Sequence, residues 1–250
     1  MTDIKKIWNK NADSWDRQSD DPNNYYTRRN NFVLGLVRRT IHKGSVLDVG
    51  CGAGVLCLKL STEGYDVYGT DISENLVQKT VERLSRNGIR ASNSKDRFRV
   101  CQEHGLLFDE GLFDAITLID VIIYVDDYEA YLSMLSRYVK DSGYIIASCT
   151  NRVSLFVFVE IVRHILRFRP NREWLRVLMN LARTGIPSGG HVDYSKAKQV
   201  YSSGCFDSIF SRLGFRKIDQ VDFFRVKMWY TDSDPLHRRG LLRFLAHHLA

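Results

Sequence analysis

Two acids and three glycines set the chemistry this chain can do. In Val46-Leu47-Asp48-Val49-Gly50-Cys51-Gly52-Ala53-Gly54, an apolar run carrying one carboxylate leads into a glycine-rich turn. Those glycines permit backbone torsions closed to other residues and let a ligand approach the main chain. A helix begins after the turn, so its first N–H groups face the ligand. A second acid, Asp71, closes the run Asp66-Val67-Tyr68-Gly69-Thr70-Asp71. It lies about 20 residues downstream, where a carboxylate can accept two hydrogen bonds from a ribose diol. Parallel sheets bind nucleotides outside the carboxyl ends of their strands, so both acids are expected on one crevice. The spacing G-x-G-x-G is not the dinucleotide pattern G-x-G-x-x-G. A carboxylate at Asp48 beneath the turn gives an anionic pyrophosphate nothing, whereas a zwitterionic, sulfonium-bearing nucleoside can use it.

The elements that must position these groups follow a βαβ rhythm, which predicts a parallel sheet. Strands are expected at 45–49, 66–71, 97–101, 113–119 and 144–149, with 215–222 and 225–230 pairing last. Helices are expected at 55–63, ended by Gly64, and after a cap at Ser73 as far as Asn87-Gly88. Another runs over about 127–139, capped by Asp126 or Asp127, and one over 196–213 is stopped by Gly214. Residues 151–190 break the rhythm with a helical, amphipathic stretch rich in Phe and Arg, and 236–250 form a short basic amphipathic tail.

The D-x-G-x-G-x-G sequence resembles the glycine motif of class I S-adenosylmethionine-dependent methyltransferases. The resemblance continues through Val67 to Asp71 (V-Y-G-T-D), Phe113 to Ile116 (F-D-A-I) and Arg137 to Ser148, so it covers about residues 45–150. Three further segments are similar to the UbiG-like and UbiE-like small-molecule branch. Trp8 to Asp16 matches its W-x-x-x-A-x-x-[YW]-D helix, Ile119 to Asp127 its x-E-V-L-E-H-V-x-D segment, and Cys149 to Arg152 its T-x-N-R.

The resemblance implies an α/β fold: a Rossmann-like, doubly wound, seven-stranded, mostly parallel sheet with a helical cap or lid. It implies S-adenosylmethionine as cofactor, S-adenosylhomocysteine as product and a small-molecule acceptor methylated on oxygen or nitrogen. One methyltransferase domain is expected over 1–250, with N-terminal helices over the cofactor (1–44) and a cofactor-binding core (45–150). A helical lid insertion (151–195) and a C-terminal helix, last strands and tail (196–250) complete it.

The resemblance also assigns residues. Asp48 holds the methionine amino group directly or through water, and Gly50, Gly52 and Gly54 make room for the ligand. Asp71 binds the ribose and Ile72 packs on adenine. The Leu118 backbone meets the amino group, Arg28 the carboxylate, and the helix bearing Trp15 folds over the cofactor. The Gly-Asp pair commonly found after strand three falls here on Gln102 and Glu103, either of which can accept the adenine amino hydrogen bond.

Methyl transfer from a sulfonium is an in-line displacement, so holding nucleophile, methyl and sulfur collinear supplies much of the catalysis. A hydroxyl acceptor benefits from a general base as well. Tyr124 stands where the branch usually has histidine; its hydroxyl can orient a nucleophile, and the loss of an easy base tilts the reading towards an amine or a base supplied elsewhere. His191, after Gly189-Gly190 and near Asp193, is the alternative base. No His/Asp/Glu set has metal-ligand spacing, so no metal is expected.

Composition narrows the remaining classes. The 250 residues are 44% hydrophobic and 26% charged, and no apolar run reaches the length of a membrane span. Five scattered cysteines without a C-x-x-C pair, and an N-terminus without an apolar signal region, predict a reduced, cytoplasmic protein. The formal charge of +7 is dispersed rather than gathered with aromatics into a stripe, so no nucleic-acid partner is expected. An RNA or protein methyltransferase, or a non-catalytic cofactor-binding subunit, is the alternative. Residues 153–174 fit a lid over a hydrophobic pocket, a peripheral membrane contact or a dimer contact, with the chain a monomer or homodimer.

Overall fold

Ser45–Val49 is buried at every position, as befits an apolar run covered on both faces, and forms the central strand β1. The computed structural model describes residues 2–21, 24–89, 94–101, 105–106, 108–148, 203–221 and 226–231. Two helices, α1 (Thr2–Asp20) and α2 (Tyr25–Thr40), precede β1. Next come α3 (Val55–Thr62), β2 (Asp66–Asp71), α4 (Glu74–Arg86), a short α5 (Ser94–Arg97) and β3 (Phe98–Val100). The chain continues through β4 (Phe113–Leu118), a tight 3-10 turn (Ile122–Tyr124), α6 (Tyr128–Ser136) and β5 (Val139–Ser148). Helix α7 (Ser203–Arg212) and strands β6 (Phe215–Val221) and β7 (Val226–Thr231) close the described chain.

The strands form one sheet in the order β3-β2-β1-β4-β5-β7-β6. The first five run parallel, and β7 lies antiparallel to both β5 and β6. Strand order reverses between β1 and β4, which opens a crevice at their carboxyl ends. Register fixes who meets there, because Val49 pairs with Thr70 on one side and with Leu118 on the other.

Strand periodicity sends alternate side chains to opposite faces. Val46, Ala115, Tyr144 and Ile146 join Val33 and Val37 of α2 and Leu56 and Leu60 of α3 in one core. Leu47, Ile116, Leu118 and Ile145 join Leu132 and Leu135 of α6 and Phe206 and Phe210 of α7 in another. The sheet is therefore doubly wound, as expected.

Boundaries differ from the sequence reading in places, most of all around β5. The strand expected at 97–101 is shorter, since Arg97 ends α5. Helix α6 stops at Ser136, before the expected 139, because Val139 pairs with Phe113 and starts β5 five residues early. Asp141-Ser142-Gly143, which precedes the strand expected at 144–149, becomes a bulge within that strand, with Ser142 at φ 65°. The expected lid over 151–195 and the start of the helix expected at 196 lie outside the described residues. No described helix is long and apolar enough to cross a membrane.

Candidate functional site

A cavity of about 700 Å³ opens at the carboxyl ends of β1, β2 and β4, roofed by α1 and α2. The glycine turn is its floor. Gly50 and Gly52 adopt φ 74° and 56°, which strain any other residue. A Cβ on Gly50 would fall 2.2 Å from Val121 Cγ2, and one on Gly52 would fall 2.9 Å from Trp15 Nε1. The Gly50 and Cys51 N–H groups donate to the Thr70 carbonyl at 2.7 and 2.9 Å, stitching the turn to β2. On the outer side, Thr80 Oγ1 donates to the Gly52 carbonyl at 2.8 Å and Arg83 Nε to the Ala53 carbonyl at 2.6 Å.

Asp71 closes this arrangement. Its Oδ2 accepts from the Gly52 N–H and its Oδ1 from the Ser73 N–H, both at 2.9 Å. The carboxylate thus braces turn and helix entry together while keeping further lone pairs for a ligand. Burial pushes its carboxyl up to about 6, against the lowering effect of those N–H groups. Asp48, 4% exposed, accepts from Thr117 Oγ1 at 2.7 Å and from the Cys57 thiol at 3.5 Å. Burial likewise pushes it up to about 6. Ile72 lines the wall beside Asp71.

Helix α1 is built to lie over this floor. Ile4, Trp8, Trp15 and Ser19 recur at helical spacing and face the cavity. An adjacent polar stripe docks on α4 and the residues before it. Lys5 pairs with Glu74 at 2.6 Å, Asn9 accepts from Ser73 Oγ at 2.6 Å, and Asp13 pairs with Lys79 at 2.7 Å. Asp16 pairs with Arg83 at 2.5 Å. Trp8 and Trp15 meet edge to face at 5.4 Å, and each touches one cavity tyrosine: Tyr124 at 5.9 Å and Tyr26 at 4.7 Å.

The structure brings most of the expected residues together and separates others. Trp15, Asp48, Gly50, Gly52, Asp71, Ile72 and Tyr124 line the cavity. Gly54 does not; it caps α3 at φ 77°, where a Cβ would lie 2.9 Å from the Thr80 Cα. Leu118 is wholly buried in the core, and the next residues, Ile119 and Asp120, reach the cavity instead. Arg28 is exposed on α2, while its neighbour Arg29 is 6% exposed and faces the cavity. One helical step turns a side chain by about 100°, so the two cannot share a face. Gln102, Glu103 and His191 lie outside the described residues.

Arg29 and Asp120 are the pair that sequence reading missed. Arg29 Nη1 donates to Asp120 Oδ2, and the guanidinium sits 5.3 Å from the centre of the Tyr26 ring. The signal for Arg29 was available: it stands four and seven residues before Val33 and Leu36, both buried. Among the described residues no group of three or more His, Cys, Asp or Glu could hold a metal ion.

Comparison with known proteins agrees with this geometry. Residues 24–220 match a family model described as a methyltransferase domain. The ubiquinone biosynthesis O-methyltransferase of Pectobacterium atrosepticum is 31% identical over 107 residues, 43% of each chain. That of Rickettsia conorii is 24% identical over 122 residues, 49% of this chain and 40% of the relative. The matched stretch therefore spans less than half the length of these curated relatives. Among solved structures, magnesium protoporphyrin IX methyltransferase from Synechocystis, with bound S-adenosylhomocysteine, superposes with a TM-score of 0.64. It is 20% identical, with 92% of this chain and 99% of that one covered, which is a likeness of fold.

Proposed function

The chain belongs to the methyltransferase-domain family, and from that premise we propose that it binds S-adenosylmethionine in this cavity and methylates a small-molecule acceptor. The observation that carries the reading is the joining of two strand tips: Asp71 holds the Gly52 N–H at 2.9 Å. The acid suited to a ribose diol and the open backbone suited to the rest of the ligand thus form one rigid unit. The residues present fit the cofactor, since the glycine turn and the Asp71 carboxylate line one cavity of about 700 Å³.

When bound, the cofactor supplies a methyl carbon already activated by its sulfonium. The chain's part is placement and the exclusion of water. Asp71 takes the ribose hydroxyls and Ile72 packs on the adenine, with Gln102 or Glu103 accepting from its amino group. Arg29, rather than Arg28, takes the carboxylate, because it is the arginine that faces the cavity. Trp8, Trp15, Tyr26 and Tyr124 form the aromatic wall that keeps the site dry. Tyr124 orients the acceptor nucleophile through its hydroxyl, and His191 is the alternative base. The names of the ubiquinone relatives favour a hydroxyl acceptor over an amine. The whole chain is read as one methyltransferase domain, cytoplasmic, with 151–195 its lid and 153–174 the part that can meet a membrane surface.

Calorimetric titration with S-adenosylhomocysteine and with NAD tests the cofactor; binding of NAD alone ends the proposal. Asp71→Ala is expected to lose about 1–3 kcal/mol of S-adenosylhomocysteine affinity, the scale of a charge-assisted hydrogen-bond pair. Radiolabelled methyl transfer to phenols and amines, set against total RNA, tests the acceptor class.

A further inference from the structure

Helix α6 lends the cavity a wall of its own. Ala130, Tyr131, Met134 and Arg137 recur at helical spacing and line it. Tyr131 stands one turn beyond the Asp127 cap, where its main-chain N–H donates to the Asp127 carbonyl at 3.1 Å. The ring packs against the core that holds Leu132 and Leu135, so a tyrosine on this stripe reads in the sequence as core. Its hydroxyl is another matter. Among the described residues it makes no hydrogen bond, and burial, with Cys101 and Asp71 close by, pushes the phenol well above its ordinary 10. A phenol desolvated without a partner costs free energy, and a ligand that accepts from it recovers that cost.

The sheet fixes which part of a ligand this hydroxyl meets. In the order β3-β2-β1, the tip of β2 lies between the glycine turn on one side and the tip of β3 on the other. Asp71 pairs with Val100, and the Cys101 N–H donates to the Asp71 carbonyl at 2.9 Å. Ile4 and Trp8 of α1 face the cavity above this corner, held there by Lys5 on Glu74 and Asn9 on Ser73. A nucleoside with its ribose on Asp71 and its amino-acid chain over the glycine turn points its base the opposite way, towards Cys101 and Tyr131. The edge of adenine farthest from the sugar carries the ring nitrogen N1, an acceptor, beside the amino group, a donor. With the amino group left to Gln102 or Glu103, N1 calls for a donor, and a tyrosine hydroxyl is one.

We propose that the Tyr131 hydroxyl donates to N1 of the adenine, so that α6 takes part in reading the base. This rests on the reading of the cavity as a cofactor site. Three ligands test the contact: S-adenosylhomocysteine, its 1-deaza analogue, in which a CH replaces N1, and its 7-deaza analogue, altered away from that edge.

Tyr131→Phe removes the hydroxyl and keeps the ring on the core. By calorimetry it should weaken S-adenosylhomocysteine and the 7-deaza analogue about three- to tenfold, the scale of one hydrogen bond. The 1-deaza analogue should stay within twofold, since the group that the hydroxyl would meet is already gone. Equal losses on all three ligands, or no loss on S-adenosylhomocysteine, overturn the assignment of Tyr131. Wild-type protein that binds none of the three overturns the cofactor reading itself. Should the variant not fold, Tyr131→Met, which keeps an apolar side chain on the core, carries the same comparison.

Discussion

Asp48 and Asp71 are carried at a thermodynamic cost that a cationic ligand can offset. Burial raises each carboxyl from an ordinary 3.8 to about 6. A raised carboxyl contributes stability that is complete below its unfolded pKa and lost as pH rises through the folded one. For each acid that loss spans pH 4 to 6 and amounts to something on the order of 3 kcal/mol. Asp48→Asn should therefore raise the melting temperature of the ligand-free protein at pH 8, with the advantage shrinking towards pH 4. Scanning fluorimetry across that range checks it, and an unchanged melting temperature at pH 8 counts against a strained Asp48. Affinity for S-adenosylhomocysteine should fall as the wild type is acidified through pH 6, because a protonated Asp71 accepts less strongly from the ribose hydroxyls. These two acids were legible in the sequence, since motif spacing places them at strand ends. The Arg29–Asp120 pair was not, because nothing local ties a residue of α2 to one 91 positions away.

Helix α1 and the glycine turn act as one unit through Arg83. That side chain, 6% exposed, holds both the Ala53 carbonyl and Asp16 of α1. Removing it leaves the Ala53 carbonyl without that donor and Asp16 with Lys79 alone, at 3.6 Å, which costs about 1–3 kcal/mol. Arg83→Ala should lower stability on that scale, speed amide exchange along α1 and weaken cofactor binding. Asp13→Ala, at an exposed pair, should change none of these. Equal exchange in the two variants would place the hold on α1 elsewhere. Helix existence was legible here from apolar spacing and caps such as Ser73, whose Oγ accepts from the Leu76 N–H at 3.2 Å. The ends of α6 and β5 were not, because the pairing of Val139 with Phe113, distant in sequence, starts the strand before Asp141-Ser142-Gly143.

At the scale of the molecule, the two cores on either face of the sheet hold the strand tips in register. Phe210 and Phe206 of α7 are wholly buried beneath the face that carries Leu47 and Leu118. Phe210→Ala should cost about 3–5 kcal/mol through the cavity it leaves, read as a lowered midpoint of urea unfolding. A midpoint equal to wild type would mean that α7 contributes little to the core.

The sequence by itself determined the strand order of chemistry: a glycine turn after β1, an acid at the end of β2, and alternating apolar runs that demand helices on both faces. Those are local properties, written in spacing and backbone freedom. Only the tertiary structure decided that Arg29 rather than Arg28 faces the cavity, that Leu118 gives way to Asp120 at the site, and that Gly54 serves packing. Each depends on how a helix is rotated or a strand registered against its neighbours, and long-range burial fixes those quantities.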